Sequence, residues 1–291
     1  MENKLYNFSY SKEGEMPKVS VLTPLYNTNQ KFLKEMIESI LNQTFDDFEF
    51  ILLNDSPDNK EIKEVVLSYK DNRIIYVENE ENLGISKSRN KLLELAKGEY
   101  IAIFDHDDIS LPQRLEKQVN FLDKNPKVGI VGSNFKRFSN SRKSKNPENN
   151  LDIKINLVVR GCIMTHSSVM IRKSLLTKNG IKWQEEYSPC EDYMLFAELI
   201  DKTMFYNIQE PLLIYRDHEN NTSHNQSTIM EDKENIIKNI LYKKYPYYAS
   251  FPSNSSGIYL FGFIPIIKKV KIGNRIKYLL FDKIPILKII I

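Results

Sequence analysis

Between residues 18 and 125 the chain passes four times from a short β-prone apolar run into a helical one, and no other feature limits the fold as strongly. Residues 18–24, 48–53, 73–77 and 100–104 read as strands. Apolar residues at helical spacing follow them: Phe32, Leu33, Met36, Ile37 and Ile40, then Ile62, Val65, Val66 and Tyr69, then Leu92, Leu93 and Leu95. Strands alternating with helices predict a mostly parallel sheet with right-handed crossovers. All strands of such a sheet end on one edge, so residues 23–27, 54–58 and 105–108 should converge where open α/β sheets bind ligands. The first strand should close at Pro24, which cannot continue a central ladder.

The fourth strand stops on Asp105, His106, Asp107 and Asp108. Three carboxylates in four residues repel one another unless a cation sits among them, and Mg²⁺ or Mn²⁺ prefers such oxygen ligands. A metal and diphosphate site is therefore expected. Helix capping is the competing use of Asp. The stretch from Ser110 to Gln113 offers its own capping box and an early proline, which leaves Asp105 and Asp107 to the ion. Further on, Ser188-Pro189-Cys190-Glu191 also reads as a capping box, which accounts for Glu191 but not for Asp192.

Residues 139–150 are polar and basic and read as a surface excursion. With 41% hydrophobic and 27% charged residues and a net charge of +3, the chain is that of a globular protein with no general attraction to nucleic acid. Cys162 and Cys190 form no C-x-x-C pair, which predicts free thiols in a reducing compartment. No apolar run reaches spanning length and the first residues lack a signal-like apolar region, so a cytoplasmic location is expected.

Seven motifs stand in order: V-S-V-L-T-P-L-Y-N (19–27), S-I-L-N-Q-T (39–44), L-L-N-D-S (52–56), N-L-G-I-S-K-S-R-N (82–90), G-E-Y-I-A-I-F-D-H-D-D (98–108), E-D-Y (191–193) and Y-R-D-H (215–218). Together they resemble the family 2 glycosyltransferases, inverting enzymes of the GT-A fold, and among these the bacterial lipooligosaccharide and capsule transferases. The resemblance implies a nucleotide-sugar site at Thr23, Pro24, Tyr26, Asn27, Asp55, Gly84, Lys87, Arg89, Asp105, His106 and Asp107. In it Asp55 accepts from the base, Lys87 and Arg89 offset phosphate charge, Asp105 lies near the ribose and Asp107 on the metal. It further implies Asp192 as the catalytic base, Glu191 and His166 on the acceptor's side, and His218 as a second metal ligand for Mn²⁺ or Mg²⁺. Asn54-Asp55 stands where family members often carry Asp-Asp.

The implied reaction moves a hexose from a UDP-sugar to a hydroxyl of a growing glycan or glycolipid, a lipooligosaccharide or lipid-linked oligosaccharide. A sugar nucleotidyltransferase would need a Gly-rich phosphate loop, and T-P-L-Y-N-T-N is not one. A non-catalytic nucleotide-sugar-binding membrane scaffold is the alternative of another class. The chain divides into a leader (1–16), a GT-A catalytic domain (17–230, with a nucleotide half 17–132 and an acceptor half 133–230) and a helical, basic-apolar tail (231–291). That tail repeats F-x-x-I-P-I-x-K at 261–268 and 281–288 and carries Lys268, Lys269, Lys271, Arg275, Lys277, Lys283 and Lys288. Such a segment suits an anionic membrane surface, with the protein peripheral on the inner face of the plasma membrane. Packing on the catalytic domain or on a partner subunit is the other use for it.

Overall fold

A computed structural model describes residues 16–219, 221 and 226–250, and the backbone alone of the strands at 5–7, 256–260, 264–272, 275–280 and 284–290. A nine-stranded sheet runs β1-β4-β3-β2-β5-β8-β7-β9-β6. Its strands in chain order are β1 (Leu5–Asn7), β2 (Val19–Leu25), β3 (Phe48–Asn54), β4 (Ile74–Glu78), β5 (Tyr100–Ile103), β6 (Ile109–Ser110), β7 (Val128–Arg137), β8 (Met170–Arg172) and β9 (Met204–Tyr215). Strands β4, β3, β2 and β5 are parallel, as the alternation predicts. Every residue of β2, β3 and β5 is buried, because helices cover both faces.

Successive strand residues point to opposite faces and feed two cores. Val21, Phe50 and Leu52 pack with Leu33, Met36 and Ile37 of α1 (Gln30–Leu41) and with Leu115 of α4 (Arg114–Lys124). On the other face Leu22 and Ile51 pack with Leu92 of α3 (Ile85–Leu95), Leu157 of α5 (Asn150–Val159) and Phe196 of α7 (Glu191–Leu199). Helices α2 (Lys60–Ser68) and α6 (Lys173–Asn179) lie between β3 and β4 and after β8 in the chain.

Pro24 lies inside β2, paired with Leu53, rather than ending it. The Leu22 carbonyl accepts from Phe104 N and the Leu25 carbonyl from Asp55 N, so alternate positions face β5 and β3. The missing N–H of Pro24 therefore falls on β5's side, where that ladder has already ended at Leu22–Ile103. Neither expected capping box forms. Ser110 lies in β6, and Leu115 N donates instead to Gln43 Oε1 (3.0 Å). The N-cap of α7 is Cys190, with no side-chain cap bond.

From β5 the sheet turns antiparallel: Ala102 pairs with Met170 of β8, and Val131 of β7 with Met170. This brings the short 3₁₀ turn His166–Ser168 beside the end of β5, where Ser167 Oγ accepts from Asp105 N at 3.1 Å. Strand β9 runs parallel to β7 and then holds β6 through Ile109–Ile214.

At the ends of the chain the structure differs from the expected layout. Leu5–Asn7, within the expected leader, adds an antiparallel edge strand to β4. The tail begins as helix, in α8 (Ser227–Lys244) and α9 (Pro246–Ala249). From residue 256 its described segments are strands rather than helices: β10 (Ser256–Leu260), β11 (Ile264–Ile272), β12 (Arg275–Leu280) and β13 (Ile284–Ile290), antiparallel in that order. The repeat gives two like pairings, Tyr259 with Pro265 and Leu279 with Pro285, each next to a register irregularity. Isoleucine-rich runs favour strands, and the repeated proline opposes a continuous helix. No helix among the described residues is long and apolar enough to cross a membrane.

Candidate active site

A cavity of about 860 Å³ opens at the carboxyl ends of β2, β3 and β5. One wall comes from these strand ends and the start of α3. The other comes from residues 162–167, the start of α7, and Gln226, Met230 and Glu234 around α8. Of the residues expected to bind the nucleotide sugar, Pro24, Tyr26, Asp55, Gly84, Arg89, Asp105, His106 and Asp107 line it. Thr23 is fully buried beneath it, and Asn27 lines a neighbouring open groove, its N bonded to Ser56 Oγ at 2.7 Å. Lys87 is turned away: it pairs with Glu185 at 3.0 Å, both side chains more than half exposed.

Asp55 shapes the strand-end wall. Its Oδ1 accepts from Asn79 Nδ2 (2.6 Å) and Leu83 N (2.8 Å), and its Oδ2 from Gly84 N (2.9 Å). This draws in the turn before α3, where Gly84 sits at φ +80° and a side chain would be strained. Asn54 Oδ1 accepts from Ser56 N at 2.9 Å, a bond made within its own loop.

Arg89 joins the two walls. From α3 it donates through Nη1 to Glu191 Oε1 (2.5 Å) and through Nη2 to Asp105 Oδ1 (3.1 Å). Burial opposes its charge, but Glu191, Asp105 and Asp192 together hold it positive. Burial pushes the Asp105 carboxyl up against the pull of Arg89. It pushes Asp108 well up, with Asp107 and Asp105 adding to the effect.

The Y-R-D-H segment after β9 is tied to the acidic loop. Arg216 N donates to Asp108 Oδ1 (3.0 Å) and Arg216 Nε to the Asp107 carbonyl (2.8 Å). Its guanidinium lies between the rings of Phe32 and Phe138, 4.2 and 4.5 Å from their centroids. This brings His218 Nε2 to 2.8 Å from Asp107 Oδ2. Two donor atoms that close together, one imidazole nitrogen and one carboxylate oxygen, suit a shared Mn²⁺ or Mg²⁺. Among the described residues no cluster of three such side chains occurs, so phosphate oxygens and water would complete the shell.

On the opposite wall Asp192 is half-buried at the start of α7. Its Oδ1 accepts from Tyr193 N (2.7 Å), and Cys162 Sγ lies 3.5 Å from Oδ2. Burial first, then the neighbouring Glu191, pushes its carboxyl up to about 7, while Arg89 opposes the rise. A carboxylate poised there matches the needs of a general base. His166 accepts from Trp183 Nε1 through its Nε2 (3.2 Å), and burial pushes its pKa well down, so the ring is neutral.

Reading the sequence missed Cys162, Arg216 and the α8 residues as parts of the site. Arg216 carried a signal, standing in Y-R-D-H, whereas Cys162 and Glu234 carried none.

Comparison with known proteins bears on the fold and the family. Residues 20–182 match the family model described as glycosyl transferase family 2. The chain is 38% identical over 218 residues to an uncharacterized glycosyltransferase of Methanocaldococcus jannaschii, covering 70% of this chain and 72% of that one. Its fold is similar to that of S. aureus TarS in complex with UDP-GlcNAc (TM-score 0.63, 22% identity, 76% of this chain and 65% of that one). It is also similar to that of a Pyrobaculum calidifontis mannosyltransferase in complex with GDP-Man and Mn²⁺ (TM-score 0.57, 17% identity, 81% and 70%). Its α/β architecture is that of the GT-A fold, and the chain belongs to glycosyl transferase family 2.

Proposed function

We propose that the protein transfers a hexose from a UDP-sugar to a hydroxyl of a growing surface glycan, a lipooligosaccharide or lipid-linked oligosaccharide, with inversion at the anomeric carbon. The observation that carries this reading is the half-buried Asp192 carboxyl, its pKa pushed up to about 7, across one cavity from the paired Asp107 and His218. Pro24, Tyr26 and Asp55 would receive the nucleotide base, and Asp105 the ribose. Glu191 and His166 stand on the acceptor's side. A divalent ion held by Asp107 and His218 would stabilise the charge that gathers on the departing diphosphate. Asp192 takes the hydroxyl proton of the acceptor as its oxygen attacks, and one in-line displacement inverts the centre. The UDP-GlcNAc and GDP-Man ligands in the complexes of the two similar folds support a nucleoside diphosphate sugar as donor, and the Mn²⁺ of one supports the metal.

The same reading puts the protein at the inner face of the plasma membrane. The alternating lysines and apolar residues of the tail support it, together with Ile229, Ile236 and Ile240 exposed along α8. Co-sedimentation with anionic vesicles, with and without residues 258–291, tests this, and equal partition of both forms would count against it. For the reaction, UDP-sugars are screened with Mn²⁺, reading UDP release with and without candidate acceptors. Release from at least one sugar is expected; release from none would leave a binding protein.

A further inference from the structure

We propose that Cys162 is a positioning residue for the base: its thiol donates to Asp192 Oδ2, aims that oxygen into the cavity and favours its ionised form. The role rests on the reading of Asp192 as general base, while the hydrogen bond itself does not. Cys162 follows Gly161, whose φ of +124° turns the chain at the end of α5 and directs residue 162 toward the start of α7. There the thiol lies 3.5 Å from Asp192 Oδ2 and 3.7 Å from the Met164 carbonyl, so a single S–H has two acceptors within reach. Asp192 Oδ1 already accepts from Tyr193 N, which leaves Oδ2 as the oxygen that takes the substrate's proton.

Among the described residues, the other groups around this carboxylate do not supply a second hydrogen bond to Oδ2. Glu191, its neighbour on α7, is spent on Arg89 and repels it; the Arg89 guanidinium attracts it from α3 but donates to Glu191 and Asp105. Cys190 donates to the Met230 carbonyl, and Glu234 of α8 pairs with Lys238. A thiol is a weak donor. It steadies the carboxylate without binding it so strongly that the oxygen loses its basicity, and rotation toward the Met164 carbonyl frees the lone pair when an acceptor hydroxyl arrives. Burial and the adjacent Asp192 push the thiol's own pKa well up, which keeps it a donor rather than a nucleophile.

The test needs no substrate. Infrared spectra of the full chain follow the S–H stretch of Cys162 and the carboxyl band of Asp192 from pH 5 to 9, with Cys190 as internal reference. The Cys162 band should move to lower frequency as Asp192 ionises, and the step should vanish in Asp192→Asn. In Cys162→Ala the carboxyl should titrate about half a pH unit higher than in the wild type, and Cys162→Ser should return it to the wild-type midpoint or below. Should Cys162→Ala fail to fold by circular dichroism, the wild-type band and Cys162→Ser decide alone. A band indifferent to pH, a midpoint that Cys162→Ala leaves unmoved, or one that Cys162→Ser raises above the wild type, overturns the proposal. Either result leaves the transfer reaction to its own assay.

Discussion

The two walls of the cavity hold their carboxylates by different means. Asp55, Asp105 and Asp107 stand at the ends of parallel strands, and each is met by strong donors or a close imidazole: backbone N–H groups, Arg89 and His218. Asp192 stands at the start of a helix with one backbone N–H and one thiol. A wall built from strongly held acids is suited to fixing a charged nucleotide. A wall with one weakly held, half-buried acid is suited to moving a proton.

Arg89 is the sole side chain among the described residues that hydrogen-bonds acids of both walls, and removing it breaks the comparison most severely. Arg89→Met leaves the buried Glu191 and the half-buried Asp105 without their cation, which should cost about 3 kcal/mol of stability. The check is a urea melt of the full chain. A loss below about 1 kcal/mol would mean that the walls stand independently.

The next effect separates the walls by pH. The folded carboxyl of Asp192 keeps its proton up to about 7, whereas an ordinary Asp loses it near 3.8. Because the native state binds the proton more tightly than the unfolded one, stability should fall as pH rises from about 4 to about 7 and level off above that. Asp192→Asn should lessen this fall, leaving the share of Asp105 and Asp108, whose carboxyls are pushed up as well, and should be more stable than the wild type at pH 8 by at most about 4 kcal/mol. Thermal melts at pH 4.5 and 8 read it, and parallel curves for the two proteins would contradict it.

Asp107→Asn acts on the opposite wall. It should weaken Mn²⁺-dependent UDP binding about tenfold while leaving binding in EDTA unchanged, measured by calorimetry. Equal losses with and without the ion would remove Asp107 from the metal. Lys87→Ala gives the smallest effect. Its partner Glu185 lies on the surface, so UDP affinity should change less than twofold despite the place of Lys87 in the N-L-G-I-S-K-S-R-N motif.

The strand-end wall was legible in the sequence because parallel strands deliver their last residues to one edge, so Asp55 and Asp105–Asp108 could be brought together from alternation alone. Of the far wall the family resemblance marks Asp192, Glu191 and His166, whereas Cys162 and Trp183 meet Asp192 and His166 through packing between distant segments that no local pattern records. Local patterns also misled. Ser110–Gln113 has the form of a capping box, yet Gln43, just past the end of α1, makes the bond to Leu115 N. The tail's proline-centred repeat suits a helix or a strand by apolar content, and the register of β10 with β11 and of β12 with β13 resolves it as strand.

The division of labour between the walls is tested most directly by one pair of readings on Asp192→Asn: UDP affinity in Mn²⁺ by calorimetry, and UDP release from the nucleotide sugar that the wild type uses. UDP binding should match the wild type within about twofold, while release in the presence of acceptor falls about a thousandfold. Release at the wild-type rate, or loss of UDP binding together with activity, would contradict it.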